Sequence, residues 1–588
     1  MTARVFGALP LAVAGVAIGT TGILGFPNVT VGTPIVPSLA IDYGCADLAR
    51  PFLVALGIIA IAVALWTIRR GAPWDGVKLA LFALLMASVL VARSVASFLF
   101  SWELMALVSL FLVGTNHRLP SVRRALFSYG SVSQVGTIAI TVALILLGTS
   151  ASSFAFDDIA RAASLLSPTT RTAVVALALI GFGSKAGLVP LHFWLPRAHP
   201  AAPANASALL SGVMLNVAIY GLLLVTAILA APVPASWSAI VAAAGGVSAV
   251  AGALLAALES DIKRLLAYSS IENVGIVVTA IGVALLARTY GLNAVAALAL
   301  LAALLHAINH GFFKSALFLG AGTISQTAGT TDLEYLGALA RFLPLSTIAV
   351  VLASAAAAAL PPTNGFASEW LAFRAFAMAV QSHAPLLSGI AIAAIAALAL
   401  SGGLAAVAAV KLVAGTFLGA GRSTRRLAVE RIDIASIALL ALAAIVLVTG
   451  LAPSLLLQPL THVVGSLGSA PIDVGTLPTL PLTLAILPVA GAIASIAYAR
   501  ARRVRTVPTW SCGSPTRRPG YTPAALVNPV RLIAGELLPA LVDRDAARNF
   551  ATVVQRISRR LRVVQGGLLR VYLVYAAAAV IVALVVAR

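Results

Sequence analysis

Long apolar runs, separated by short polar or basic stretches, fill almost the whole chain. A helix needs roughly 20 consecutive apolar residues to cross the hydrocarbon core of a bilayer. Most runs reach or approach this length, so the pattern predicts an all-α polytopic membrane protein with about 15 transmembrane helices. The predicted spans cover residues 8–25, 50–68, 78–95, 97–114, 124–147, 172–190, 205–230, 236–257, 265–287, 294–322, 344–360, 386–419, 433–452, 479–499 and 570–587.

Three segments interrupt this regular pattern. The stretch 172–200 contains three prolines, the long run 386–419 contains the pair Gly402–Gly403, and the segment 361–371 opens with two prolines. Irregular backbone at membrane depth survives only where protein or a water-filled cavity surrounds it. We therefore expect broken helices in both halves of the chain and a re-entrant piece at 361–371. Paired broken helices are typical of a transport path.

The composition excludes soluble and disordered classes of protein. Hydrophobic residues make up 61% and charged residues 10%, and the mean hydropathy is +1.04. A soluble domain has about 25% charged residues, and a disordered chain has low hydrophobicity. The 39 Lys and Arg exceed the 18 Asp and Glu by 21. Because the basic residues stand between spans and in one C-terminal stretch, they favour topology signals and contacts with anionic lipids over nucleic-acid binding.

The basic clusters also predict the orientation of the chain. When the spans alternate in direction, every cluster falls on the side of the N-terminus, which the positive-inside rule assigns to the cytoplasm. We expect a multi-pass protein of the cytoplasmic (cell) membrane whose first helix is retained and not cleaved as a signal peptide. The clusters are Arg69, Arg70 and Lys78; His117, Arg118, Arg123 and Arg124; Lys263 and Arg264; Arg422, Arg425 and Arg426; and the stretch 500–562.

Charged residues inside the apolar runs are the candidate functional residues. Each costs at least ~2.5–3.5 kcal/mol at the bilayer centre, so it usually faces the protein interior and has a partner or a task. Glu103 lies in such a run, and Lys185 lies in another, with glycines on both sides of it and Pro190 after it. A desolvated lysine loses its proton readily, and a nearby carboxylate holds the proton on it. We expect a Glu103–Lys185 proton switch, with a static ion pair as the alternative.

His306, His310 and Lys314 follow one another at spacings of four residues, which places them on one face of a helix. Two histidines at this spacing can bind zinc, but the run has no HExxH glutamate and Lys314 would repel a cation. A series of groups that titrate near neutral pH suits proton transfer better. Histidines that are hydrogen-bonded in a packed bundle remain the structural alternative.

Two further charges are predicted near the middle of the bilayer. Glu272 follows Lys263 by nine residues, or about 13 Å of helix, and Lys411 precedes the basic edge at Arg422 by a similar distance. The alternative for Lys411 is a side chain that reaches back to the membrane surface. Glu369 is expected to pair with Arg374 near the predicted re-entrant piece. These groups together predict a row of acids, amines and imidazoles that carries protons.

Bound cofactors are not expected in this chain. The two cysteines, Cys45 and Cys512, stand far apart and form no metal-ligand or iron–sulfur pattern. The sequence also contains no P-loop, so ATP is not expected to drive transport from within this chain. We predict no metal, no redox cofactor and no catalytic residue.

Five sequence stretches contain most of the charged residues selected above, together with long ordered motifs. They are FSWELMALVSLFLVG, GFGSKAGLVPLHFWLPRAHPAAPANASALLSGVML, SDIKRLLAYSSIENVGI, HAINHGFFKSALFLGAGTI and PPTNGFASEWL. These stretches resemble the antiporter-like membrane subunits of respiratory complex I and its Mrp relatives. The motifs SIENVG and GFASEW, and the later segment TWSCGSPTRRPGYTPAALVNPVR, are most similar to the large membrane subunit of formate hydrogenlyase and of membrane-bound nickel–iron hydrogenases. The resemblance covers roughly residues 50–588, with long and ordered motifs.

The resemblance implies two inverted five-helix repeats, each with a broken helix that carries a key lysine. It also implies a proton path that passes the residues which the depth argument selects. These are Glu103, Lys185, His306, His310, Lys314 and Lys411, with Glu272 added from its depth alone.

The sequence departs from the family pattern where the two half-paths meet. Asn216 stands where relatives usually carry a linking lysine, and Ser211 and Ser270 stand where histidines are frequent. An asparagine cannot titrate and can only hydrogen-bond, so this departure puts efficient pumping in question. Asn216 is kept as the candidate link between the half-paths.

The resulting functional prediction is a proton-translocating membrane subunit of a redox-driven complex of the hydrogenase or NADH dehydrogenase type. The chain would be a non-redox subunit, and its partners would be membrane and peripheral subunits that carry nickel–iron or iron–sulfur centres, together with lipids. The alternatives are a sodium-linked cation/proton antiporter subunit and a non-pumping membrane scaffold for a redox arm.

The predicted division of the chain follows from the spans and the family motifs. Residues 500–569 are polar and Arg-rich, and 541–565 predicts an amphipathic helix on the cytoplasmic surface or on a partner. The segments are N-terminal transmembrane helices at 1–93, an antiporter-like proton-translocation core at 94–430, C-terminal transmembrane helices at 431–499, the cytoplasmic Arg-rich segment at 500–569 and a final transmembrane helix at 570–588.

Overall fold

A computed structural model describes residues 2–31, 41–229, 231–422, 427–468, 491, 495 and 522–534. The predicted final span 570–587 and the predicted amphipathic helix 541–565 lie outside the described residues, as does the predicted span 479–499 except for two positions. The helices up to residue 466 are numbered in chain order. They are α1 (Thr2–Leu24), α2 (Ala49–Arg70), α3 (Asp75–Leu90), α4 (Val95–Val113), α5 (Pro120–Ala151), α6 (Phe156–Ala162), α7 (Pro168–Ala186), α8 (Leu195–Ala201), α9 (Ala204–Leu209), α10 (Leu215–Leu223), α11 (Ala235–Leu258), α12 (Ile262–Thr289), α13 (Asn293–Ala328), α14 (Pro344–Ala357), α15 (Asn364–Val380), α16 (Pro385–Phe417), α17 (Ile434–Leu451) and α18 (Ser454–Ser466).

The remaining elements of the described chain are small. The π-helical turn Leu210–Met214 lies between α9 and α10, and a second π-helical turn, Leu224–Leu229, follows α10. Strands β1 (Val29–Val31) and β2 (Ile41–Tyr43) pair antiparallel, with Val29 opposite Tyr43. The all-α prediction is confirmed. Ten helices of the described part are long and apolar enough to cross a membrane, so the count of about 15 spans is not confirmed.

The described basic clusters lie at one end of the bundle, called the basic end below. Arg4 near the N-terminus donates to the carbonyl of Arg69 (3.1 Å), and Gln326 at the end of α13 donates to the carbonyl of Arg70 (2.9 Å). Arg422 after α16 donates to the carbonyl of Glu334 in the loop that follows α13 (3.1 Å). The prediction that the clusters share the side of the N-terminus is confirmed for these residues.

The first broken element consists of α7 and α8. α7 ends at Ala186 because Gly187 has a φ of +85°, which a residue with a side chain rarely adopts. The chain then continues through irregular backbone to α8, where Arg197 reaches Ser128 near the start of α5. The element therefore runs toward the basic end, with Lys185 one residue before its break. The break predicted for 172–200 is confirmed.

The second break lies elsewhere than predicted. α16 is one continuous helix of 33 residues through Gly402–Gly403, because a glycine costs a helix only about 1 kcal/mol. The chain is instead interrupted between α14 and α15. Pro344 begins α14 at the basic end, where the next two backbone N–H groups bind Glu430, and α15 continues in the same direction. The prediction of a re-entrant piece at 361–371 is therefore wrong.

The two broken elements run in opposite directions, as two inverted repeats require. α7–α8 approaches the basic end, whereas α14–α15 leaves it. The second broken element carries Glu369 and no lysine, which corrects the expectation that each break would carry a key lysine. Lys411 lies on the unbroken α16.

Helices α12 and α13 form the centre of the bundle and are buried along their apolar length. α11 packs against α12 through glycines, which allow the two backbones to touch. A Cβ at Gly252 of α11 would lie 2.4 Å from the backbone nitrogen of Glu272, and one at Gly275 of α12 would lie 2.4 Å from the nitrogen of Ala249. This close contact holds Glu272 in the interior.

Candidate functional site

Lys185 is the centre of the first polar group. Its side chain is 2% exposed, and its amine donates to the hydroxyls of Tyr129 (2.8 Å) and Ser133 (3.2 Å) on α5. The Tyr129 ring stacks on Trp194, whose indole nitrogen donates to the carbonyl of Ser184 (2.8 Å). Hydroxyl oxygens can accept from an ammonium and can equally donate to a neutral amine, so the pocket serves Lys185 in both protonation states.

Glu103 and Lys185 interact electrostatically without forming an ion pair. Their charges attract, but no N–O distance of 4.0 Å or less joins them in the described structure. Gln134 donates to Oε1 of Glu103 (2.8 Å), and the buried Oε2 has no hydrogen-bond partner among the described residues. Glu103 is only partly buried, so the expectation of a fully interior carboxylate is not met. The predicted Glu103–Lys185 switch stays a prediction.

Lys314 and Glu272 form the second polar group at the centre of the bundle. Both side chains are almost fully buried, and their opposite charges attract. The Lys314 amine lies 3.5 Å from the carbonyl of Leu266, and Ser269 donates to Glu272 Oε2 (3.2 Å). α12 and α13 thus place an amine and a carboxylate in a nearly water-free interior, where a change in either charge strongly affects the other.

The predicted histidines lie on the face of α13 that meets α12 and α15. His306 is held on both ring nitrogens, by Ser368 Oγ (2.9 Å) and by Asn273 Oδ1 (3.1 Å). His310 packs edge-on against Phe313, and its buried Nε2 has no hydrogen-bond partner among the described residues. His306 therefore connects α12 to α15, the second half of the second broken element, which begins four residues before Ser368.

The junction between the two polar groups contains hydroxyl groups and one amide. Asn216 donates to the carbonyls of Gly212 (2.9 Å) and Ala307 (2.7 Å), which fixes its amide between two helices. Ser211, in the π turn, bonds to Ser270 of α12 at 2.8 Å. A π turn displaces the carbonyls of a helix from their usual partners, and such turns are frequent at functional sites.

Lys411 lies nearer the basic end than predicted. Its amine donates to the carbonyls of Ala257 and Glu259, both at 2.5 Å, at the C-terminal end of α11. Glu259 in turn pairs with Arg264 in the first turn of α12 (3.0 Å). Helix ends leave carbonyls without partners and attract cations, which explains the contact. The expected mid-bilayer position of Lys411 is wrong, because α16 already ends at Phe417.

Metal coordination finds no support in the described part of the chain. No three His, Cys, Asp or Glu side chains stand close enough together there to hold a metal ion. His306 uses both nitrogens in hydrogen bonds to neutral side chains, and the amine of Lys314 lies on the same helix.

Comparison with known proteins decides the family. The family model for "NADH:quinone oxidoreductase/Mrp antiporter, TM" matches residues 92–396. Hydrogenase-4 component B of Escherichia coli (strain K12) is 34% identical over 565 residues, which cover 88% of this chain and 83% of that protein. The chain belongs to the NADH:quinone oxidoreductase/Mrp antiporter transmembrane family. This confirms the resemblance seen in the sequence motifs.

Two solved structures share the fold of this family member. A chain of the membrane-bound sulfane sulfur reductase, an archaeal respiratory membrane complex, has a TM-score of 0.78 at 24% identity and covers 98% of this chain and 94% of its own length. A chain of the Mrp complex from Dietzia sp. has a TM-score of 0.73 at 23% identity, with coverages of 99% and 60%. At these identities the likeness establishes the fold alone.

Three residues of this chain that the structure places at or near the polar groups were missed by the sequence analysis. His199 on α8 is 1% exposed, stacks on Phe318 (4.5 Å between ring centres), and has no hydrogen-bond partner on either ring nitrogen among the described residues. Asn273 and Tyr129 supply direct contacts to His306 and Lys185. His199 lies between Pro196 and Pro200, outside the apolar runs that the depth argument considered. Asn273 and Tyr129 are uncharged, and the depth argument considered only charged residues and histidines.

Glu369 also differs from its expected setting. Its carboxylate forms no hydrogen bond or ion pair within the described residues, and the expected pair with Arg374 is absent there. Both side chains line a cavity of about 650 Å³ between α15 and α16, in which Gly402 and Gly403 leave open space. Glu369 is 6% exposed and is adjacent to Ser368, the partner of His306. The carboxylate-bearing Glu369 therefore directly follows Ser368, the residue that hydrogen-bonds to His306.

Proposed function

We propose that this protein is the proton-translocating membrane subunit of a redox-driven complex of the hydrogenase or NADH dehydrogenase type. It would lie in the cytoplasmic membrane with its N-terminus and basic end in the cytoplasm. Electron transfer would take place in partner subunits with nickel–iron or iron–sulfur centres. The similarity to Hydrogenase-4 component B over 88% of the chain supports this assignment.

The observation that carries the proposal is the pair of buried amines, Lys185 and Lys314, each placed between an attracting carboxylate and hydrogen-bonding neighbours. A lysine inside a membrane protein is costly and usually functional. Each amine would gain or lose a proton as the charge of its carboxylate partner, Glu103 or Glu272, approaches or withdraws. The energy of electron transfer would enter as a movement or charge change at Glu103 and Lys185, and the response would pass to Lys314.

The link between the two groups would be the hydroxyl pair Ser211–Ser270 and not Asn216. A hydroxyl accepts and donates at once and passes a proton by reorienting, whereas the amide of Asn216 only donates to two backbone carbonyls. Ser270 in turn donates to the carbonyl of Leu266 (2.8 Å), which also lies beside the Lys314 amine. The pair therefore reaches the surroundings of Lys314.

Beyond Lys314, the path would continue through His306 and Ser368 to Glu369. Lys411 would serve the basic end of the second half, where it bridges α16 to the end of α11. The proton path would thus lie within residues 94–430, with 1–93 and 431–499 as flanking helices, 500–569 on the cytoplasmic side and 570–588 as a further span.

The test is Lys185→Ala in the full complex, reconstituted in inverted vesicles. We expect the complex to assemble and to transfer electrons, but not to acidify the vesicle lumen. The control is Lys78→Ala, which removes an exposed lysine at the basic end. Full acidification by Lys185→Ala would reject the proposal, and normal electron transfer without acidification in the unaltered complex would select the scaffold alternative.

A second candidate is a sodium-linked cation/proton antiporter subunit. The observation that favours it is the Glu369 carboxylate, which faces a cavity of about 650 Å³, large enough for a hydrated cation. Oxygen ligands of this kind are those that hard cations prefer. A pH change in inverted vesicles that requires sodium and is lost in Glu369→Gln would select this function, whereas acidification without sodium excludes it.

A further inference from the structure

A cavity of about 890 Å³ opens at the basic end, between the first turns of α5, the short helix α8 and the start of α12. Four arginines line it, namely Arg123, Arg124, Arg197 and Arg264. It lies outside the proton path proposed above, so neither its occupant nor its role follows from that proposal.

The charge of this arginine cavity is strongly positive. No acidic side chain is among its lining residues. Arg264 is paired with Glu259 (3.0 Å), and Arg197 donates to the hydroxyl of Ser128 at the cavity wall (3.0 Å). The backbone N–H of Arg264 also donates to Asp261 (2.9 Å), so two carboxylates of the described residues stand near four guanidinium groups, which leaves an excess of positive charge among these residues. Guanidinium groups bind phosphate oxygens in a two-pronged geometry, so the chemistry favours a phosphate-bearing anion.

The apolar surroundings indicate that the anion belongs to a lipid. The cavity wall includes Pro120 and the ring of Phe127, which is 50% exposed. Below Phe127, exposed apolar side chains follow one face of α5, which is a candidate membrane span. These side chains are Val135, Ile138, Val142 and Ile145. Gln134, bonded to Glu103, is the polar side chain that interrupts this face.

We propose that the arginine cavity binds the phosphate headgroup of an anionic phospholipid, whose acyl chains follow the apolar face of α5. The charged part of the site lies at the end of the bundle, and the apolar part continues into the membrane-spanning region. A phospholipid has this same division between head and tail. A soluble phosphate has only the charged part and would leave the apolar face of α5 uncovered. An acidic loop of a partner protein would bind the arginines but would not contact the apolar face below Phe127.

The test compares two double variants of the full chain, purified in mild detergent. Arg123→Gln/Arg124→Gln removes two charges from the cavity. Arg341→Gln/Arg431→Gln removes two exposed charges from the basic end outside the cavity. Native mass spectrometry would measure the retention of phosphatidylglycerol and of phosphatidylcholine with the same acyl chains, with and without an excess of inorganic phosphate.

We expect the unaltered chain and the Arg341→Gln/Arg431→Gln variant to retain phosphatidylglycerol in preference to phosphatidylcholine. The cavity variant should bind phosphatidylglycerol roughly tenfold more weakly or worse, since each basic residue near the headgroup contributes to binding. Equal losses in both variants would overturn the proposal, because only general surface charge would then matter. Complete displacement by inorganic phosphate would overturn the lipid assignment in favour of a free anion.

An acidic partner protein is the remaining contradictory outcome. It would appear as normal lipid binding by Arg123→Gln/Arg124→Gln together with loss of a neighbouring subunit during purification of the complex. Because the lipid measurement does not depend on proton movement, its failure would leave the result for Lys185→Ala unaffected.

Discussion

At the scale of the residue, the groups that contact each buried amine, more than its depth, determine how readily it can exchange a proton. Lys185 and Lys314 are both surrounded by protein, yet one contacts two hydroxyls and the other a backbone carbonyl. Lys411 instead caps the end of α11. An ammonium that is held by two carbonyls has no acceptor for a transferred proton in them, so we expect Lys411 to orient helices and to exchange protons less readily than Lys185.

The serine pair supports a prediction at the same scale. Ser270→Ala removes the partner of Ser211 and leaves one buried hydroxyl unsatisfied, a change worth about 1–3 kcal/mol. If protons pass through this pair, the rate of acidification should fall about tenfold, while electron transfer and assembly continue. The measurement is the ratio of protons moved to electrons transferred in inverted vesicles.

Two controls make this prediction specific. Ser270→Thr keeps the hydroxyl and should retain most of the activity. Ser401→Ala removes a buried serine whose hydroxyl, among the described residues, bonds only to the carbonyl of Leu398 in its own helix, and this variant should pump normally. Normal pumping by Ser270→Ala would contradict the serine link and would favour Asn216 as the link between the two polar groups.

At the scale of the element, interruptions of helices place the functional groups. α7 ends at Ala186, directly before Gly187, so the Lys185 side chain lies beside irregular backbone. The gap between α14 and α15 allows Asn309 of α13 to donate to the carbonyl of Asn364 (2.8 Å). Both breaks are enclosed by neighbouring helices, which is the condition for irregular backbone at membrane depth.

The contact between α11 and α12 gives the prediction for this scale. In Gly252→Ala, the added methyl group would lie 2.4 Å from the backbone nitrogen of Glu272, so the two helices must move apart. We expect the free energy of unfolding in detergent to decrease by about 1–3 kcal/mol and the acidification rate to fall, because Glu272 moves relative to Lys314.

The matched control is Gly403→Ala on α16, where no atom lies within 4 Å of the added methyl group. Alanine favours a helix over glycine, so this variant should be as stable as the unaltered chain or slightly more stable. If the two variants have equal stability, the close packing of α11 on α12 does not limit the position of Glu272.

At the scale of the whole molecule, the two broken elements and the shared position of the basic clusters give the bundle a direction. The proposed orientation places the basic end in the cytoplasm and the loop between α6 and α7 outside. On a background without Cys45 and Cys512, Ser164→Cys in that loop should react with a membrane-impermeant maleimide in intact cells. Arg341→Cys at the basic end should react only in inverted vesicles, and the reverse pattern would contradict the proposed orientation.

The sequence alone determined that the chain is a membrane protein and that its basic clusters share one end of the bundle. It also identified most of the charged residues that are buried in the bundle. These properties are local, since the transfer of each side chain into lipid depends on its type and on the length of its own run. The motifs around Lys185 and His306 also established the family.

Only the tertiary structure decided which groups meet. Tyr129 and Ser133 reach Lys185 because α5 packs against α7, and Ser211 reaches Ser270 because a π turn faces α12. The cap of Lys411 on α11 and the break before α15 likewise depend on how distant helices pack. Such contacts join residues far apart in the chain, and the energy of placing one helix in a membrane contains no information about the face that it presents to another.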